Sequence, residues 1–281
     1  MKKVVVIGDV IEDIIVISNG ERQANTDNPS TIQSTPGGSG ANFAVWLASL
    51  GVETELIARV SSKDKERLES YFRSVKVMPS LQTDQDLQTG KIVVLVEGNQ
   101  RTFFTDRAAN KNLEKPNLSR HNLLYVSGYS ALSLGKEQTH ELIKSAKEAG
   151  CLVAVDPGST SFIENFGVNN FLEAIQGADI VFPNKEEYEL LSKDHQLTSL
   201  FPEIVVTKGE QGAELVGQAH VDAKSVEAID PTGAGDAFAA KYIAERLSGS
   251  SPIEALEYAN DFAALAVTNV GAQPYNEGSP D

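Results

Sequence analysis

The sequence predicts an α/β protein built on a mostly parallel sheet covered on both faces, with a small β insertion. Three observations predict it. From about residue 122, the short apolar runs "LLYVSG", "CLVAVDPG", "ADIVFPN" and "EIVVTKG" alternate with helical patterns, and doubly covered parallel strands read as such continuous apolar runs. Residues 89–105, "TGKIVVLVEGNQRTFFT", have a different texture: two strands joined at Gly98-Asn99, a hairpin signal. The 281 residues, 41% of them apolar, suffice for one large α/β core.

The elements follow in chain order. "MKKVVVIGDV" has two lysines and a short apolar run that meets Asp9. The run is too short for a signal peptide and reads as a first strand, at 3–9. Residues 40–50 read as a helix closed by Gly51, followed by a strand near 53–59 and a charged helix near 63–75. After the β insertion, a strand at "LLYVSG" precedes a helix at 136–149, stopped by Gly150. "KEEYELLS" reads as a helix after "ADIVFPN". The last helix opens on "SPIE", with Ser251 as N-cap, Pro252 in the first helical position and Glu254 closing a capping box. It is expected to run to about 268, and the polar tail from Gln273 is expected to fray.

Composition narrows the function. The formal net charge of −15 argues against nucleic acid and anionic membranes as partners. It also requires that any anionic ligand be held by local positive potential. No apolar run approaches the ~20 residues of a membrane span. The single cysteine, Cys151, rules out an internal disulfide and a cysteine-rich zinc site. The four histidines are scattered without metal-ligand spacing. A cytoplasmic enzyme fits.

The most informative stretch is "DPTGAGDAF" at 230–238. Gly233, Ala234 and Gly235 precede an apolar helical pattern. The first amides of a helix have no internal partner, and with the helix dipole they form an anion site. Small residues let an anion approach that backbone closely. Asp236 at its edge would compete with the anion. The conflict resolves if Asp236 takes a proton from a hydroxyl that attacks a phosphoryl group, while the amides face the developing charge. The helix end is expected to help keep Asp236 ionised. A glycine-rich turn with a dipole-stabilising aspartate is the competing reading. Neither G-x-x-x-x-G-K-[ST] nor G-x-G-x-x-G occurs, so P-loop and dinucleotide-binding readings fall away.

The chain resembles the ribokinase-like, or pfkB, carbohydrate kinases. "GGSGANFAVWLASLG" at 37–51 and "DPTGAGDAF" are similar to the two signatures of that family. "GDVIED" at 8–13, "NKEE" at 184–187, "TKGEQG" at 207–212 and "ALAVTNVGAQ" at 264–273 stand in the family order, so the resemblance covers nearly the whole chain.

The resemblance implies a role for each matching residue. Asp236 would be the general base, and the amides of Gly233, Ala234 and Gly235 an anion hole. Asp13, in a strand-end turn, would accept hydrogen bonds from substrate hydroxyls, with Glu12 and Asp9 as neighbours; a solvated acidic turn is the plainer reading of those two. Gly37, Gly38 and Asn42 match the sugar-contacting segment, and an asparagine inside an apolar helix favours that role. Asn184 and Glu187 match an N-x-x-E that acts on Mg²⁺ and phosphate, often through water; a helix start with solvated acids is the alternative. Thr207, Gly209 and Gly212 match the nucleotide-binding strand and turn, which an ordinary hairpin turn would also explain. Asn260 falls where the family contacts adenine. Asp230 and Thr232, with the chain near Val270-Gly271, fall where many members hold K⁺. Two departures stand out: Ser61 replaces a glycine in "VSSKD", and Ser39 follows the glycine pair.

The expectation is an ATP-dependent kinase of a sugar or sugar-like alcohol: a single domain over 1–281, a three-layer α/β/α body, and a β lid from about 14–35 and 81–107. The lid's free edge suits closure over substrate or pairing in a homodimer. A nucleoside kinase is the nearest alternative, with Phe103, Phe104 and Tyr129 as a base pocket. A non-catalytic sugar-binding regulator is a more distant one. Arg107 ends the hairpin and is expected beside the sugar pocket, unless it merely pairs with Asp106 at the surface. Three acids there (Asp13, Asp236 and Glu12) would suit a neutral polyol better than an anion.

Overall fold

The first strand, β1 (Lys3–Ile7), divides its side chains between two cores. Val4 and Val6 enter one cluster, Val5 and Ile7 the other, and all four are fully buried. This follows from the two-residue period of a strand buried on both faces. A computed structural model of the chain describes residues 2–97, 100–269 and 271–274. The expected turn at Gly98-Asn99, Val270 and the tail from 275 lie outside them.

β1 sits inside a nine-stranded sheet. The other strands are β4 (Glu53–Ser61), β5 (Val77–Asp84), β8 (Leu123–Ser127), β9 (Leu152–Asp156), β10 (Ile180–Val181), β11 (Glu203–Thr207), β12 (Ala213–Leu215) and β13 (Ala219–Val221). The order is β13-β12-β11-β10-β9-β8-β1-β4-β5. Every pairing from β11 to β5 is parallel; β12 and β13 add antiparallel pairs at one edge. Helices α1 (Ser39–Ser49), α2 (Lys65–Ser74), α7 (Ala234–Ser248) and α8 (Pro252–Ala266) supply the core on one face. Helices α3 (Gly128–Glu148), α4 (Thr160–Phe166), α5 (Val168–Ala174) and α6 (Lys185–Ser192) supply it on the other. This is the expected three-layer body.

A separate four-stranded sheet contains β2 (Ile11–Ser18), β3 (Ser30–Gly37), β6 (Gly90–Glu97) and β7 (Gln100–Asp106), in the order β3-β2-β6-β7. Residues 81–84, expected in the insertion, belong instead to β5, whose register with β4 runs to Ser61↔Asp84. Alternation along β5 is too irregular to separate a body strand from a lid strand. The helix expected from 136 is present, and a short helical segment from Gly128 precedes it, the two separated by a break at Gly135 (φ 79°). The α4 and α5 pair and the β12–β13 hairpin had no clear signal, because each element is only three to seven residues long.

Sheet order reverses between β8 and β1: the chain leaves β1 for β4 on one side and returns through β8 on the other. Open α/β sheets bind ligands beyond the strand ends at such a switch point. Ser127, the last residue of β8, donates to Asp9 Oδ1 just past β1 at 3.2 Å.

Candidate active site

A cavity of about 230 Å³ opens over the carboxyl ends of the strands. Ser39, Asp156, Asn184, Glu187, Thr207 and the 233–236 segment line it. Asp236 is the third residue of α7, after Gly233, the N-cap, in a left-handed conformation (φ 75°). A Cβ on Gly233 would meet Ala272 O at 2.5 Å, so both φ and space require glycine. Helix α7 has no side-chain cap. Asp236 turns sideways to α1: Ser39 Oγ donates to Oδ1 at 2.9 Å and Asn42 Nδ2 to Oδ2 at 3.4 Å. Gln273 Nε2 in turn donates to Asn42 Oδ1 at 2.8 Å and to Pro36 O at 3.0 Å. Gln273, expected to fray, is thus tied down beside the site.

Burial pushes the Asp236 carboxyl up to about 7, with Asp9 adding to it, and the Ser39 and Asn42 hydrogen bonds oppose without prevailing. The expectation that the helix start keeps this group ionised is therefore corrected, because desolvation outweighs it. The amide cradle is also narrower than expected. Ala234 N turns back to Pro231 O at 3.2 Å. The amides of Gly233 and Gly235 make no hydrogen bond among the described residues.

The residues expected to contact the acceptor lie near where the two sheets meet. Asp9 is 1% exposed and accepts from Gly40 N at 3.1 Å. It is a buried anchor for the start of α1 rather than a solvated turn residue. Gly8 and Gly40 allow the close approach: a Cβ on Gly40 would meet Gly8 Cα at 2.3 Å. Gly38 (φ 102°) has the same role against Asp9 O, 2.6 Å from an added Cβ. Asp13 lies inside β2, opposite Thr35, not in a turn. A Cβ on Gly37 would overlap Asp13 Oδ2 at 2.1 Å, so Gly37 leaves room for that carboxylate. Burial, then Asp9, pushes Asp13 up to about 7. Glu12, one residue earlier, points to the opposite face of the sheet by the strand period. There it accepts from Ser34 Oγ at 3.1 Å and pairs with Arg67 at 3.6 Å. The structure does not bring Glu12 to the pocket. Adjacent acids look equivalent in sequence until the strand that separates them is known.

Arg107 is buried, 8% exposed, and does not pair with Asp106. Its Nη2 donates to Tyr129 O and to Ser133 Oγ, the latter at 2.6 Å. Its guanidinium carbon lies 5.7 Å from the ring centres of both Tyr129 and Phe162. Asp106 instead accepts from Ala108 N at 3.0 Å and pairs with Lys111. Phe103 and Phe104 are over half exposed on β7 of the small sheet, whereas Tyr129 lines the cavity.

On the other side, Asn184 and Glu187 form a reciprocal capping box at the start of α6: Asn184 Oδ1 accepts from Glu187 N at 2.8 Å, and Glu187 Oε2 from Asn184 N at 2.9 Å. Glu187 is nonetheless 3% exposed at the cavity, and burial pushes its carboxyl up to about 7. Thr207 ends β11 beside Asn184. Gly212 (φ 83°) is required by the 208–212 turn, since a Cβ there would meet Val221 O at 1.9 Å. Gly209 (φ 56°) shapes the same turn, and Lys208 pairs with Glu214. Thr207 lines the cavity, whereas Gly209 and Gly212 do not. Asn260, 6% exposed, finds its partner in Asp222 O at 3.0 Å. Asp230 accepts from Thr232 N at 2.9 Å and Gly271 N at 3.0 Å, which joins those segments behind Gly233.

Sequence reasoning missed Asp156. It ends β9 in "VDPG" and lines the cavity, where burial, Glu187 and Asp236 hold its pKa well above the ordinary carboxylate value. The available signal was an aspartate closing an apolar strand, in the position of Asp9 after β1. Among the described residues, no set of His, Cys, Asp or Glu is already arranged around a metal, and no helix is long and apolar enough to cross a membrane.

With this geometry in place, comparison with known proteins gives the class. The chain belongs to the pfkB family of carbohydrate kinases, whose family model matches residues 1–277. It is therefore a carbohydrate kinase by family. It is 28% identical over 271 residues to the ATP-dependent ribose-1-phosphate kinase of Halopiger xanaduensis, covering 90% of this chain and 88% of that one. It is also 28% identical to the bifunctional protein HldE of Escherichia coli, where 86% of this chain spans 54% of the relative. Among solved structures, the nucleoside kinase of Methanocaldococcus jannaschii superposes with a TM-score of 0.83 at 24% identity, over 98% of this chain and 94% of that one. A protein of Escherichia coli assigned as a ribokinase II, solved with ATP and Mg²⁺, gives 0.82 at 24% identity, over 97% and 94%.

Proposed function

We propose that the chain transfers the γ-phosphoryl group of ATP to a hydroxyl of a sugar or sugar-like acceptor, with Asp236 as general base. The observation that carries this is the uncapped start of α7, where Asp236 turns from its own helix to Ser39 and Asn42 and leaves the Gly233 and Gly235 amides unpaired. A carboxylate has about four acceptor positions, so Asp236 can receive a further proton while both contacts persist. Its pKa of about 7 suits a base at neutral pH. In the reaction, Asp236 takes the hydroxyl proton, the hydroxyl oxygen bonds to the γ-phosphorus, and the bond to the β–γ bridging oxygen breaks. The two amides face the charge carried by the transferred oxygens.

Asp13 and Asn42 orient acceptor hydroxyls, and Gly37 and Gly38 let the acceptor approach the backbone; Asp9 supports them from below. Thr207 and the turn at Gly209 and Gly212 border the nucleotide, and Asn260 fixes the segment at 222 near it. Asn184 and Glu187, joined by Asp156, supply oxygen donors around one cavity, a set that fits Mg²⁺. When bound, that ion would neutralise phosphate charge that these carboxylates otherwise oppose. Asp230 and Thr232 would serve a K⁺ ion near Gly271. The lid suits closure over the acceptor or pairing in a homodimer.

The test is ADP release from MgATP with a panel of sugars, sugar phosphates and nucleosides. The relatives' names justify including both a ribose phosphate and nucleosides. Release with at least one acceptor, lost in Asp236→Asn, is the expected result. Acceptor binding without ADP release would instead favour a sugar-binding regulator.

A further inference from the structure

Arg107 is a cation with no counter-charge beside it. Its guanidinium is enclosed, yet its hydrogen bonds go only to neutral groups, Tyr129 O and Ser133 Oγ. It forms no ion pair with any described residue. Asp9 is the carboxylate that acts on it, and Asp9 Oδ1 is already shared between Gly40 N and Ser127 Oγ. The buried Nε has no partner, and Nη1 makes no hydrogen bond with a described residue. The guanidinium carbon lies 5.7 Å from the ring centres of both Tyr129 and Phe162, within cation–π range. Tyr129 also lines the cavity that contains Asp236.

Leaving a buried guanidinium without an anion is costly, and the cost falls when an anion binds. In a protein of net charge −15, carboxylates were abundantly available for pairing, and none is placed there. The argument for a neutral acceptor rested on three acids at the pocket. Glu12 faces the other side of the lid, and Asp13 is half protonated near neutral pH because its pKa is about 7. The acidity of the acceptor side is therefore much weaker than the sequence suggests.

We infer that the acceptor carries an anionic group, a phosphate monoester or a carboxylate, held by the Arg107 guanidinium beside Tyr129 and Phe162. This rests on the kinase reading for its location but not for its test. With both Nη2 protons given to Tyr129 O and Ser133 Oγ, the Nε and Nη1 donors remain for such a group, in charge-assisted hydrogen bonds. Arg107 is then the residue that separates an anionic sugar from its neutral counterpart.

Binding by titration calorimetry at fixed ionic strength tests it, with ribose, ribose 1-phosphate, ribose 5-phosphate and gluconate as probes. An anionic probe is expected to bind at least about tenfold tighter than ribose, as a charge-assisted hydrogen bond implies. A phosphate preference or a gluconate preference identifies which anion. Arg107→Gln is expected to erase the difference and leave MgATP affinity unchanged. Arg107→Lys, which keeps the charge but loses the fork, is expected to retain part of it. The guanidinium ¹⁵N resonances of wild-type Arg107 should move on adding the preferred anionic probe, a readout that requires no substitution. Equal or tighter binding of ribose, a preference that survives Arg107→Gln, or unmoved guanidinium resonances would each overturn the proposal. Arg107-dependent binding without ADP release would sink the kinase reading and leave the anion subsite standing.

Discussion

Two helices begin at the same cavity with an acid in the third position, and they use it in opposite ways. In α6, Glu187 reaches back to the amide of its own N-cap, and Asn184 returns the bond. In α7 the N-cap is Gly233, which has no side chain, and Asp236 turns away to α1. A capping side chain is worth ~1 kcal/mol, so α7 forgoes stability that α6 takes. What α7 gains is a carboxylate turned to α1 beside two unpaired amides; its pKa, about 7, is no different from that of Glu187. An acid early in a helix is therefore not informative by itself. The informative feature is whether the helix uses it.

The largest effect should come from breaking the α7 side of that contrast. Asp236→Asn is expected to lower kcat by ~10²–10⁴-fold, the range for removal of a general base, while MgATP binding persists. Steady-state kinetics and nucleotide titration check it. The same variant separates a base from a cap by its stability. Asp236 has its pKa raised from 3.8 to about 7, so the folded state favours the protonated form. The ionised group then costs nothing below pH 4, progressively more from there to about 7, and a constant amount above. Asp236→Asn should consequently melt higher than wild type at pH 8, with the gain vanishing towards pH 4. A loss of melting temperature at pH 8 would mean that Asp236 acts as a structural cap.

A smaller effect is expected at α6, where one acid serves both the box and the cavity. Glu187→Gln keeps an acceptor for the Asn184 amide but removes the charge facing the cavity. The Mg²⁺ concentration giving half-maximal rate should rise several-fold, while the acceptor KM stays near its wild-type value. An unchanged metal titration would reduce Glu187 to its capping role.

Much of this site was legible in the sequence, and the reasons are local. "TGAG" before an apolar helix announces an open helix start, because glycine and alanine have no side chain that can cap. "SPIE" likewise announced the box at α8, which forms as written. Strand ends facing the switch point were legible as apolar runs closing on a polar residue. Three matters were not legible. Whether Glu12 or Asp13 enters the pocket depends on the phase of a strand whose partners are remote, β3 and β6. The raised pKa of Asp236 depends on burial and on Asp9, 227 positions away along the chain. The enclosure of Arg107 beside Tyr129 and Phe162 depends on α3 and α4, remote in sequence from the end of β7.

The smallest effect sharpens the comparison from outside the cavity. Helix α8 has the same box as α6: Ser251 Oγ accepts from Glu254 N at 3.3 Å, and Glu254 Oε2 from Ser251 N at 2.8 Å. It differs in being exposed and in having no part in the cavity. Its bonds to Ser251 hold the Glu254 carboxyl below the ordinary value, the opposite of Glu187. Ser251→Ala removes the N-cap hydroxyl alone, and it should cost about 1 kcal/mol, or roughly 2 °C in melting temperature for a chain of this size. Neither kcat, nor the acceptor KM, nor the Mg²⁺ requirement should change. If Ser251→Ala shifted the metal requirement as Glu187→Gln is expected to, the effect at α6 could be ascribed to loss of a helix cap, and the assignment of Glu187 to the metal would fall. If it shifts only the melting temperature, the two boxes are alike as caps, and what separates Glu187 is the cavity it faces.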